Sequence, residues 1–166
     1  MKFVRHLRLK YSIMKRIVLF ITLIFCAHIL FAQNGSARMV NWNFSSKKIA
    51  ADTYEVRFTA DINGKYHMYA QNVGVEGPVA TAFTFTRNPL IDLSGKVKEI
   101  GKMVRKHEEV WGGDVNYYEN KVEFVQLVKL KKKIKTNVGG SVEFMVCDDK
   151  ECLPPAEVSF KVNIGG

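Results

Sequence analysis

Residues Thr53–Ile62 alternate without a break. Tyr54, Val56, Phe58, Ala60 and Ile62 share one parity, and Glu55, Arg57, Thr59 and Asp61 share the other. A period of two over ten residues is incompatible with a helical face, so this stretch must be a strand with one face buried and one wet. It ends at Asn63-Gly64, a pair that favours a two-residue hairpin turn. The expected continuation is a second strand over residues 65–71, with Tyr66, Met68 and Ala70 on one face and His67, Tyr69 and Gln71 on the other.

The same period recurs along the chain. Val40, Trp42 and Phe44 alternate with Asn41, Asn43 and Ser45. A Gly-rich connection over residues 72–78 leads to a strand over 79–87, with Val79, Phe83 and Phe85 as core candidates, and Asn88-Pro89 breaks it. Residues 96–104 read as a weaker strand with a Lys-rich outer face. Residues 105–116 read as a polar loop around Trp111-Gly112-Gly113, and 117–121 as a turn opening a long strand that ends near Leu130. Lys131, Lys132 and Lys133 form a charged rim, and strands over 141–146 and 157–164 complete the set. About eight short strands with turns between them, and no helical period, predict an all-β, immunoglobulin-like antiparallel β-sandwich.

The formal charge of +9 suggests an acidic partner until it is located. Of 25 basic residues, six lie in residues 1–32, which hold no acidic residue, so 19 basic against 16 acidic residues remain, a net of +3. That residue of charge argues against nucleic acid as a partner. Lys15-Arg16 precede an apolar run over residues 17–31, and Ala32 is a small residue suited to cleavage before Gln33. This pattern predicts a cleaved signal peptide over residues 1–32, starting at Met1 or Met14, and a single domain over 33–166. The run is short for a spanning helix, and the large Phe25 before Cys26 disfavours a lipoprotein signal. Residues 33–38 read as a frayed leader to the domain.

Export leaves two cysteines, Cys147 and Cys152, in an oxidising compartment. They lie in Cys147-Asp148-Asp149-Lys150-Glu151-Cys152-Leu153-Pro154-Pro155. If the strand over 141–147 is regular, Val142, Phe144 and Val146 face the core, and Cys147 faces outward with Glu143 and Met145. The two cysteines can then join only across a local hairpin. So small a loop stabilises by about 2 kcal/mol in the chain-entropy account, little for a domain large enough to fold without it. Two readings stay open: a redox-active pair at an exposed sheet edge, or a structural staple in a secreted binding module. A chaperone-like sandwich offering an edge strand is a third. His67 and His107 lie at no useful metal-ligand spacing from the pair. Asp148, Asp149 and Glu151 should raise the thiol pKa values, so the pair would wait for a partner rather than attack unaided.

Residues 40–164 resemble the N-terminal domain of the transmembrane thiol–disulfide reductase DsbD. The resemblance rests on residues 146–155, with the spacing Cys…Cys-x-Pro-Pro, on Gly64-Lys65-Tyr66-His67-Met68-Tyr69-Ala70-Gln71, on residues 78–86, and on Tyr117-Tyr118-Glu119-Asn120-Lys121-Val122. It implies a redox pair, Cys147 and Cys152, that takes electrons from a membrane-embedded thiol reductase. The pair passes them through mixed disulfides to periplasmic thioredoxin-like proteins, which correct disulfides or serve cytochrome c maturation. It implies no cofactor and a periplasmic location; no metal and a monomeric domain are expected besides. His67 and Tyr69 match aromatic positions beside the pair. Glu108, Glu109, Val110, Trp111 and Gly112 match a mobile cap loop, with Trp111 as the lid. Four residues separate the cysteines here, against five in the best-known members. With no membrane portion after the domain, a stand-alone module or a separate membrane partner is expected.

Overall fold

The alternating segments become eleven strands in a computed structural model that describes residues 35–165. They are β1 (Val40–Lys48), β2 (Thr53–Ile62), β3 (His67–Tyr69), β4 (Ala82–Phe85), β5 (Ile91–Ile100), β6 (Met103–Glu108), β7 (Gly113–Glu119), β8 (Lys121–Leu130), β9 (Thr136–Phe144), β10 (Val146–Cys147) and β11 (Ala156–Ile164). The expected signal segment and Cys26 lie outside the described residues.

One sheet has the order β1-β2-β8-β5. The other strands form a second four-stranded sheet, β10-β3-β7-β6, and a three-stranded one, β11-β9-β4, linked where β9 runs through Met145 into β10. Every pairing is antiparallel. The result is an immunoglobulin-like sandwich, as the periodicity predicts.

β2 sits inside the first sheet, between β1 and β8. Its apolar parity, Tyr54, Val56, Phe58, Ala60 and Ile62, is buried throughout. Aromatic rings join it to the opposite layer: Phe58 lies 4.7 Å from Phe160 and 4.8 Å from Phe83, and Trp42 lies 5.4 Å from Phe144. Truncating a fully buried phenylalanine such as Phe58 costs about 3–5 kcal/mol.

Three expectations about connectivity need correction. Asn63-Gly64 does turn the chain, with the Tyr66 N–H donating to the Asn63 carbonyl at 2.7 Å, but β2 and β3 do not pair. Both edges of β2 are already occupied, and Gly64 is not among the glycines with positive φ that a primed hairpin turn needs. The chain therefore crosses to the other layer. The expected polar loop over 105–116 is instead the β6–β7 hairpin, with register Arg105↔Asn116 and Glu108↔Gly113. Its tip is a 3-10 turn, Glu109–Trp111, closed by Gly112 at φ 66°. Polar residues on an edge strand made it read as loop. The count rises from eight to eleven because Gly101-Lys102 separates β5 from β6, Met145 separates β9 from β10, and β7 is a strand of its own before Asn120 (φ 59°) turns the chain into β8.

Candidate functional site

Strand parity decides where Cys147 goes. Val142, Phe144 and Val146 enter the main core, and Met145 and Cys147 take the opposite face, as expected. That face is not open, however. Cys147 is only 2% exposed, packed in a second core with Tyr69, Val73, Val115, Tyr117 and Met145. The β6–β7 hairpin and the segment from Val73 to Ala80 roof the outer face, with Val75, Val79, Ala80, Val104 and Trp111 half-buried against it. Alternation assigns a residue to a face, and cannot say that a loop folds back over that face.

Cys147 and Cys152 are disulfide-bonded and face each other as an isolated antiparallel bridge, with Cα atoms 4.0 Å apart. The loop between them is a tight turn. The Asp148 N–H donates to the Glu151 carbonyl at 2.9 Å, and the Asp148 carboxylate accepts the N–H groups of Lys150 (2.8 Å) and Glu151 (2.9 Å). Those two donors hold the Asp148 carboxyl below the usual carboxylate range. Its negative charge is thus committed to the turn, while Asp149 and Glu151 stay exposed. Past the bridge, the Leu153 N–H donates to the Val146 carbonyl at 3.0 Å. Cys152 is exposed where Cys147 is buried, so the two sulfurs are inequivalent. The exposed side of the bridge is the Cys152 side. As expected, the pair sits at a sheet edge, since β10 is an outer strand.

The structure places His67 and Tyr69 beneath the pair. His67 is the direct cross-strand partner of Cys147 on one side and of Glu119 on the other. Its ring lies 4.3 Å from that of Tyr117 and 5.4 Å from that of Tyr69. Burial pushes its pKa below the usual histidine value, and its Nε2 has no hydrogen-bond partner. Tyr69 is fully buried, which raises its phenol pKa. Its hydroxyl accepts a hydrogen bond from Trp111 Nε1 at 3.0 Å.

Glu108, Glu109, Val110, Trp111 and Gly112, expected as a cap, all fall at the hairpin tip, in different environments. Trp111 is pinned from within by Tyr69 and from outside by Gly77, whose φ is 122° and where a Cβ would lie 2.5 Å from the indole. Val110 instead projects outward, 76% exposed. The Glu108 carboxylate lies 3.5 Å from Lys106 Nζ, and Glu109 is in solvent. The Gly112 N–H donates to the Glu109 carbonyl at 3.1 Å. Between tip and disulfide lies a cleft of about 450 Å³, lined by Lys106, Glu108, Val110, Trp111 and both cysteines with the turn that joins them.

Sequence reasoning missed one anchor outright. The supposed frayed leader contains a 3-10 turn, Ser36–Arg38, and Ser36 is completely buried. Its Oγ donates to the Pro154 carbonyl at 2.7 Å and accepts the Val146 N–H at 3.3 Å, tying together the strand entering the cysteine turn and the segment leaving it. A lone serine near a cleavage signal gives no hint of this. Tyr117 and Val115, which wall the second core, were legible as an alternating pair once β7 was recognised. Among the described residues, no group of three or more His, Cys, Asp or Glu side chains is arranged to hold a metal ion, and no helix is long and apolar enough to cross a membrane.

The family model described as "Thiol:disulfide interchange protein DsbD, N-terminal" matches residues 37–164. Among solved structures, the reduced DsbD N-terminal domain of Neisseria meningitidis is similar over 78% of this chain and 88% of its own, at 18% identity and a TM-score of 0.50. The N-terminal periplasmic domain of ScsB from Proteus mirabilis is similar at 14% identity, over 75% of this chain and 44% of its own, with a TM-score of 0.49. A complex between the DsbD and PilB N-terminal domains of Neisseria meningitidis is similar at 17% identity, over 71% and 80%, with a TM-score of 0.44. No curated protein matches. At 18% identity the likeness to the Neisseria meningitidis domain speaks to the fold alone.

Proposed function

The chain belongs to the family of N-terminal domains of the thiol:disulfide interchange protein DsbD, and from that premise we propose that it is a periplasmic thiol–disulfide electron relay. A thiolate of a membrane-embedded reductase attacks Cys152 Sγ, and Cys147 leaves as a thiolate. The reductase's second thiol then resolves the mixed disulfide, and the domain holds a dithiol. In the second half-reaction, the Cys152 thiolate attacks the disulfide of a thioredoxin-like protein, and Cys147 closes the ring and releases that protein reduced. Each cycle moves two electrons and two protons and needs no cofactor. Residues 1–32 direct export, and the mature domain acts as a monomer. Glu108, Glu109, Val110, Trp111 and Gly112 form the cap under which a partner docks.

The observation that carries this reading is the asymmetry of the pair. One sulfur belongs to an exposed residue beside an open cleft, and the other to a residue buried in a core of its own. A staple needs no such arrangement, whereas a relay needs one sulfur to be met and one to resolve. Cysteine trapping in cells tests it. Cys147→Ser leaves the accessible Cys152 and should accumulate a covalent complex with a thioredoxin-like protein, while Cys152→Ser should trap far less. No complex with either variant, together with a wild-type pair that stays oxidised whatever the reductase does, would refute the relay.

A further inference from the structure

Among the described residues, His67 is the one buried side chain beside the disulfide with an unpaired polar atom in the oxidised state. It is 8% exposed, and its Nε2 is buried without a hydrogen-bond partner. Leaving a buried polar atom unpaired is unfavourable. Such an atom calls for an explanation, and a redox or catalytic role is one. Register puts His67 directly across from Cys147 on the same face of the sheet, and residues so paired have Cβ atoms about 4.5–5.5 Å apart. In the dithiol state Cys147 carries a proton that the disulfide state lacks. Its surroundings, Tyr69, Tyr117, Val115 and Met145, are poor at stabilising a free thiolate.

Resting on the relay reading, we propose that His67 is the general base that takes the Cys147 proton when the dithiol closes, and the acid that returns it when the disulfide opens. In the closing direction the Cys147 S–H proton passes to Nε2. The resulting thiolate attacks Cys152 Sγ, the bond from Cys152 to the partner's sulfur breaks, and the electron pair leaves with that sulfur. The ring then passes its proton to solvent. Opening reverses each step. Burial keeps the imidazole neutral near pH 7, the form a base requires. The charged and titratable groups around the ring bear on both forms. Glu108 from β6, Glu119 from β7 and Asp149 from the cysteine turn favour the imidazolium, and Lys106 from β6 opposes it. Tyr69 and Tyr117 pack on the ring as neutral phenols.

The test uses 5,5′-dithiobis(2-nitrobenzoate) with the fully reduced domain in a stopped-flow instrument. The first coloured thiolate released reports attack by Cys152. The second reports ring closure by Cys147, and this leaving group needs no proton. In the wild type, closure should be nearly independent of pH from about 6.5 to 8, because the proton only moves between Cys147 and His67. In His67→Phe it should rise about tenfold per pH unit over that range, and at pH 6 it should be about 10²-fold slower. The first phase should be unchanged. His67→Gln keeps a polar side chain that cannot take up a proton, and it should behave like His67→Phe; it decides the matter if the phenylalanine variant does not fold. Wild-type closure profiles in the variants would overturn the role of His67 while leaving the relay standing. A wild-type domain that releases only one equivalent would overturn both.

Discussion

Ser36→Ala should weaken the domain well beyond what a single surface hydroxyl is worth. The change leaves the Pro154 carbonyl without the 2.7 Å donor it has now and deprives the Val146 N–H of its 3.3 Å acceptor. The Val146 N–H is buried along with the Ser36 side chain, so water cannot replace its acceptor, whereas the Pro154 carbonyl belongs to an exposed residue. Leaving buried groups unsatisfied costs about 1–3 kcal/mol, and about 2 kcal/mol is expected here. With a urea slope of about 1.5 kcal/mol/M for a domain of this size, the unfolding midpoint of the oxidised protein should fall by about 1.3 M. Ser46→Ala is the matched control. Its Oγ donates to the Asn163 carbonyl at the same 2.7 Å, but in the open, and a change of under about 0.5 kcal/mol is expected. If the Ser36 variant shifts by less than about 0.3 M, or no more than the Ser46 variant, burial is not what makes this contact matter. The residues before β1 would then be the loose leader their composition suggests.

Further outcomes follow from the same packing. Gly77→Ala places a Cβ against the Trp111 indole at a backbone conformation that disfavours side chains, and should cost about 1–3 kcal/mol with a red-shifted tryptophan emission; unchanged emission and stability would mean the tip is not pinned there. The Tyr118 phenol, buried and beside Glu99, is pushed up to about 12. Its folded value lies above the unfolded value, so the stability it contributes is whole below about pH 10 and declines from there towards pH 12. Urea titrations in that window should show the decline, and Tyr118→Phe should flatten it. His67 has the opposite sign of consequence: a base with a depressed pKa makes the fold lose stability as pH falls below about 6.5. His67→Phe should remove that part of the acid sensitivity in the same titration.

The sandwich was legible because period-two alternation is a strong signal. β2 was placed to the residue, and the inward parity of Val142, Phe144 and Val146 put Cys147 on the correct face of its sheet. Exposure was not legible. Cys147 is buried because Tyr117, Val115 and Trp111 arrive from a hairpin that its polar edge strand disguised as a loop. The Asn63-Gly64 pair gave a turn without a hairpin, because a local signal cannot report that both edges of β2 are taken by β1 and β8. Ser36 was invisible, since its value comes wholly from contacts with residues more than a hundred positions away. The tip expected as a lid also divides more finely than Trp111 alone suggested: the indole is held by Tyr69 and Gly77, while Val110 is the side chain exposed there.

The most direct test of the relay is the reduction potential of the Cys147–Cys152 pair, measured by equilibrating the domain against defined thiol–disulfide buffers and quantifying the free thiols. Structural disulfides of secreted proteins lie below about −300 mV. The account predicts a clearly less negative value, within reach of exchange with thioredoxin-like partners. A value at or below that threshold would contradict it and make the pair a staple.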